Sequence, residues 1–206
     1  MSERTICLHC RIAESMAQRL IPRFVLIGDY LEPNHVHILD TNLAKLEIFV
    51  EIRRTSGLAL PFEHLRDLAN NVHKLILDPF TSRHEEVIDC LMLGADQVCI
   101  SADSPKRELE LAYAASKHVF SRWWIEDWPP HDDVGIAQHH SHILEVAKTC
   151  GRQAIVTCAR KGVLKSWWQE LPPKCKQAFD WHFAPAEGRV INLDVPPAAW
   201  LLPSGN

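Results

Sequence analysis

Four short apolar runs in this chain end on a side chain that can hold or move a proton. They are Leu75-Ile76-Leu77-Asp78, Val98-Cys99-Ile100-Ser101-Ala102-Asp103, Ala154-Ile155-Val156-Thr157 and Val36-His37-Ile38-Leu39-Asp40, and each leads into a helix start signal. Buried β-branched runs of this kind form parallel strands, and reacting groups in parallel α/β proteins gather where the strands end. Carboxyl groups there suit general acid–base work, and a hydroxyl suits the positioning of a substrate. The pattern therefore predicts a site along one edge of a parallel sheet.

Other constellations have ordinary readings beside the chemical ones. His131, His139, His140 and His142 lie in one stretch with Asp132 and Asp133. Imidazoles three apart on a helix can share a metal, so His139 with His142 is a possible pair, but an acid-rich helix start favouring the dipole is the simpler reading. His35-Val36-His37 places two imidazoles on one face of a strand, and Cys7-Leu8-His9-Cys10 is a lone C-x-x-C without a second pair to complete a zinc site. All seven tryptophans fall in the second half, with the adjacent pairs Trp123-Trp124 and Trp167-Trp168. Neighbours on a strand face opposite ways, so one ring of each pair is expected on the surface or in a cleft, where it could meet a protein partner, a second copy or a flat, pterin-like ligand. Lys106-Arg107 with Glu108 and Glu110 reads as a solvated helix face.

Composition narrows the function classes. The chain has 206 residues, 47% hydrophobic and 23% charged, with a net charge of −4, and reads as a single globular domain over 1–206. A mixed, slightly acidic charge is wrong for a nucleic-acid binder, and no run approaches the roughly 20 apolar residues that span a bilayer. Met1-Ser2-Glu3-Arg4 begins no secretory pattern, so the expectation is a cytoplasmic protein without disulfides, its Cys90, Cys99 and Cys158 set in apolar runs.

Strands are expected at 24–29, 36–40, 48–53, 75–78, 97–102, 119–124, 153–157 and 190–193. Helices alternate with them. Pro61 fits a first helical position, Ser82 with Glu85 a capping box, Gly94 a helix end, Ser104-Pro105 a helix start, and Ile136 to Lys148 an amphipathic helix. About eight strands alternating with about six helices select an open doubly wound sheet or a closed (β/α)8 barrel.

Three stretches carry a family resemblance. His35 to Lys45 is similar to the "LHLVDLDGAK" strand of the histidine-biosynthesis ribotide isomerase and its cyclase relative. Ile48 to Asp103 follows the family's order of elements, and Ala154-Ile155-Val156-Thr157-Cys158-Ala159-Arg160-Lys161-Gly162-Val163-Leu164 resembles "IIxTDIxRDGTL". The resemblance implies an α/β fold of mainly parallel strands, a compact or degenerate (β/α)8 TIM-like barrel binding a sugar phosphate. It also implies an acid–base pair, one acid on the first strand and one on the fifth, with nearest matches Asp29 and Asp103, and a site threonine on the sixth strand matched by Thr157. Asp40 and Asp78 are further acids on the same rim. The family's glycine-rich phosphate loops are replaced here by Glu51-Ile52-Arg53-Arg54 and Val195-Pro196-Pro197-Ala198-Ala199. Prolines lack the N–H donors a phosphate cradle uses, so Arg53, Arg54, Arg160 and Lys161 are expected to grip the anion with side-chain charge instead.

The expectation is a diverged relative without a cofactor or obligatory metal, an isomerase or lyase acting on a phosphorylated or otherwise anionic small metabolite. Diverged relatives occur beside methanopterin-dependent one-carbon enzymes, a setting the resemblance brings with it. A non-catalytic scaffold with a tryptophan-rich partner surface and a metal-dependent hydrolase are the alternatives.

Overall fold

The computed structural model describes residues 19–27, 30–31, 46–53, 60, 62–129, 133–186, 188–193, 195 and 197–203. Its strands are β1 (Arg19–Ile27), β2 (Tyr30–Leu31), β3 (Glu47–Arg53), β4 (Lys74–Asp78), β5 (Gln97–Ser101), β6 (Val119–Ile125), β7 (Gln153–Cys158), β8 (Asp180–Ala184) and β9 (Ala199–Pro203). The described helices are α1 (Phe62–Asn71), α2 (His84–Met92), α3 (Lys106–Ala115), α4 (Asp133–Thr149), α5 (Val163–Glu170) and the single turn α6 (Pro173–Lys176). Strands β1 and β3 to β9 pair in parallel in that order, and β9 returns to β1 with Leu201 opposite Ile21. Eight parallel strands thus close a (β/α)8 barrel, and β2 folds back antiparallel on the end of β1. No helix among the described residues is long and apolar enough to cross a membrane.

Period-two alternation splits every strand between two cores. Inward go Ile21, Phe49, Ile76, Cys99, Phe120, Ile155, Ala184, Ala199 and Leu201, which fill the barrel. Outward go Phe24, Ile48, Val50, Leu75, Leu77, Val98, Ile100, Trp123, Val156, Trp181 and Phe183, which pack under the helices. The amino end of the barrel is closed by polar pairs. Glu47 accepts from Arg19 and lies 3.0 Å from Lys74, Gln97 donates to Gln153 at 2.9 Å, and His182 stands edge-on to Phe120 with its pKa pushed by burial down to about 4.

The described residues depart from the sequence expectations at three places. Val190 to Leu193 is not a strand; Ile191 and Leu193 pack on the outer core, and β8 and β9 complete the barrel instead. The expected strand at 36–40, with His35 and His37, lies outside the described residues, as do Cys7 and Cys10. The Ser82–Glu85 capping box does not form, because α2 starts at His84 and its N–H is taken at 2.8 Å by the Glu108 carboxylate of α3. Tryptophans 123, 167, 168, 181 and 200 are all buried, so Trp167-Trp168, which lies on α5 and not on a strand, contributes no surface ring.

Gly94 sits at φ +101° at the end of α2, and a Cβ there would meet the Cβ of Ala69 at 3.3 Å. Gly94→Ala is therefore expected to cost about 1–2 kcal/mol in a urea melt, since both the conformation and the close approach need glycine.

Candidate active site

The inward positions change from apolar to charged near the carboxyl ends of the strands. β1 brings Arg23, β3 brings Glu51 and Arg53, β4 brings Asp78, β6 brings Arg122 and Trp124, and β7 brings Thr157. Register pairs Glu51 with Asp78 and Trp124 with Thr157, so these side chains share one mouth of the barrel. A charged residue in the middle of an apolar strand is costly unless partnered, and here the partners are one another. Glu51, fully buried, is held by Arg23 and lies 3.3 Å from Arg53; Asp78, also fully buried, has Oδ1 3.3 Å from Arg122 Nε.

The loop after β4 is built around Asp78. Its Oδ1 accepts the Phe80 N–H at 3.0 Å, and Phe80 adopts φ +51°. Thr81 ties this loop to its surroundings: its carbonyl accepts from Ser101 N–H at 2.9 Å, and its hydroxyl accepts from Arg83 N–H at 3.0 Å. The Arg122 guanidinium lies over the Phe80 ring, 4.3 Å from its centroid, and Phe80 stands edge-on to Trp124 at 5.9 Å.

Burial dominates the Asp78 carboxyl and pushes its pKa up to about 6, with Glu51 adding to the rise and Arg122 and Arg23 opposing it. Three buried polar atoms in the mouth have no hydrogen-bond partner among the described residues, Asp78 Oδ2, Thr157 Oγ1 and Arg23 Nε, and Arg122 Nε has its ion-pair contact with Asp78. Buried polar atoms are almost always satisfied, so a cluster of orphans marks a place where something polar is to be held. Among the described residues three guanidinium groups face two carboxyl groups here, an excess of positive charge among these five groups that suits an anion.

The expected site residues fall at different depths. Thr157 is in the mouth, on the sixth parallel strand, and 1% exposed. Arg53 ends β3 with its side chain half exposed. Asp103 follows β5, which is the fourth parallel strand rather than the fifth, because β3 sits directly beside β1. The fifth is β6, whose inward side chains near the rim are Arg122 and Trp124. Asp103 is largely exposed, and its Oδ1 lies 3.3 Å from His142 Nε2 on α4. That contact holds the Asp103 pKa below its usual value and the His142 pKa above its own. Arg160, exposed in the loop after β7, pairs with Asp127 at 2.5 Å, and Lys161 is exposed beside it. Asp29 and Arg54 lie outside the described residues.

Metal-ligand geometry is sparse. His139 Nε2 accepts the Trp167 indole N–H at 2.9 Å, and burial lowers the His139 pKa to about 4, whereas His142 faces Asp103, so the two do not converge on one point. Among the described residues His84, Glu85 and Glu108 are the group with three donor atoms within 4.8 Å of one another, and there Glu108 is already engaged by the His84 backbone and ring.

Asp78 was legible as a rim acid from its place at the end of an apolar run. Arg23, Glu51 and Arg122 carried a weaker signal, a charge at an alternate position within a strand otherwise rich in apolar residues.

No protein-family model matches the chain, and no curated protein matches it. Among solved structures, dihydropteroate synthase of Xanthomonas albilineans, solved with 4-aminobenzoic acid, is similar at 14% identity, over 82% of this chain and 73% of that one, with a TM-score of 0.49. The barrel follows from the strand pairing itself, and this likeness brings no residue and no ligand to the mouth.

Proposed function

We propose that this chain is an enzyme of the isomerase or lyase kind, acting on an anionic small metabolite at the carboxyl-end mouth of the barrel. One observation carries the reading: Asp78 is a fully buried carboxyl at a strand end, with a pKa of about 6, one oxygen without a partner among the described residues, and a guanidinium beside it. A carboxyl titrating near neutrality can take a proton from a carbon or hydroxyl and return it within one turnover, which is the work of an aldose–ketose shift or an elimination. Arg122, Arg23 and Arg53 supply charge for a phosphate or carboxylate, in place of the glycine loops that the histidine-biosynthesis resemblance leads one to expect. Thr157 offers its hydroxyl to the bound molecule. Asp103 with His142 forms a second proton-carrying pair on the rim, Asp29 is the other acid that the resemblance implies, and Arg54, Arg160 and Lys161 are further cations read at or just after strand ends. The five buried tryptophans take most of the surface away from the scaffold alternative.

Thermal shift with ribose 5-phosphate tests the anion site. A ligand at about 100 times its Kd stabilises by about 2.7 kcal/mol, so millimolar sugar phosphate is expected to raise the melting temperature clearly. Thr157→Val, nearly isosteric, is expected to melt within about 1 kcal/mol of the parent chain and to bind roughly tenfold more weakly. No shift with any sugar phosphate, or a shift that Thr157→Val leaves untouched, overturns the proposal.

A further inference from the structure

Of the seven tryptophans, Trp124 alone is exposed by more than a third, at 40%, although it points inward on its strand. Its strand neighbour Trp123 faces the other way and is buried among His142, Phe179 and Trp181. An open indole at the rim of a charged mouth is unusual, because such a ring gains most by being covered. The groups around it are fixed. Phe80, edge-on to Trp124, is held at φ +51°, a conformation that a bulky side chain adopts only when its surroundings impose it. What imposes it is the Asp78 carboxyl on the Phe80 N–H and the Arg122 guanidinium over the ring, the same two groups that form the proton-carrying centre. Trp124 also stands in register with Thr157, whose hydroxyl has no hydrogen-bond partner among the described residues.

Resting on the anionic-site reading above, we infer that Trp124 is a substrate-binding residue and that the substrate carries a planar, conjugated ring next to its anionic group. The ring stacks on the Trp124 indole while the anion meets Arg122 below. A planar π-system gains offset stacking against indole, which a puckered saturated ring of the same size cannot match.

Calorimetric titration with phenyl phosphate and cyclohexyl phosphate isolates this property, since the two share the anion and differ in the ring. The parent chain is expected to bind phenyl phosphate about tenfold more tightly. Trp124→Ala is expected to erase the preference and leave both ligands at the cyclohexyl level, and Trp124→Phe to keep most of it; the exposed position lets both variants fold, as a melt of each checks. Equal binding of the two phosphates by the parent chain, or a preference that survives Trp124→Ala, overturns the ring subsite while leaving the anion site standing. Binding of neither overturns both.

Discussion

Asp78→Asn is expected to lose turnover by about 10²–10⁴-fold and at the same time to unfold at a higher denaturant concentration than the parent chain. The two effects have one cause. The folded Asp78 titrates at about 6, against an ordinary value of 3.8. Between those values the unfolded chain has released the proton and the folded chain still holds it, so stability falls as pH rises through the window from about 4 to 6. The total is on the order of 3 kcal/mol, present below pH 4 and gone above pH 6. Asn keeps the shape and an oxygen for the Phe80 N–H, cannot ionise, and so retains that stability at neutral pH. It cannot carry a proton either. Urea melts at pH 4 and pH 7 check the first half: the variant's advantage should appear at pH 7 and vanish at pH 4. Deuterium incorporated from heavy water into the sugar phosphate that binds checks the second. A variant that exchanges protons at the parental rate removes Asp78 from the mechanism, whatever its melt shows.

The strands that the sequence displayed clearly were those with β-branched runs ending on a polar group, β4, β5 and β7, together with β1, β3 and β6. Those runs are buried on both faces, and burial on both faces is what makes a run continuously apolar. The last two strands of the barrel were hidden because Asp180-Trp-His-Phe-Ala184 and Ala199-Trp-Leu-Leu-Pro203 carry aromatics, a histidine and a proline, and neither ends on an acid. Val190-Ile-Asn-Leu193 has the better strand composition, yet Ile191 and Leu193 satisfy their apolar surface against the outer core without pairing. The site divides in the same way. That acids line the rim is written in the spacing, but which acid is desolvated depends on strand order and on the arginine that faces it, both of which are properties of the closed barrel. Asp103 and Asp78 end similar runs; one is exposed and paired with a histidine, and the other is buried beside an arginine. Arg122 was visible only as a charge between Phe120 and Trp124, and its partner is two strands away around the barrel.

Arg122→Met is expected to destabilise the chain in a way that depends on pH. Met keeps much of the length of the Arg122 stem and removes the charge 3.3 Å from Asp78. Without that charge the carboxyl ionises only at a pH above 6, so above pH 6 the folded variant holds a proton that the unfolded variant lacks. Stability then falls by about 1.4 kcal/mol for each further pH unit, up to the variant's own raised pKa, whereas the parent chain is level with respect to this group over that range. The expected excess loss is close to none at pH 5, where Asp78 is largely neutral in both chains, and grows with pH above 6 to at most about 3 kcal/mol at pH 8. Melts at pH 5, 6, 7 and 8 measure it. Adding Asp78→Asn to Arg122→Met should abolish the slope, because the coupling between two charged neighbours disappears once either is neutral. A variant whose profile runs parallel to the parent from pH 5 to pH 8 would show that Arg122 does not control the Asp78 proton. The same variant also separates holding the anion from tuning the acid: loss of sugar-phosphate binding at pH 5, where the Asp78 charge is absent, belongs to Arg122 itself.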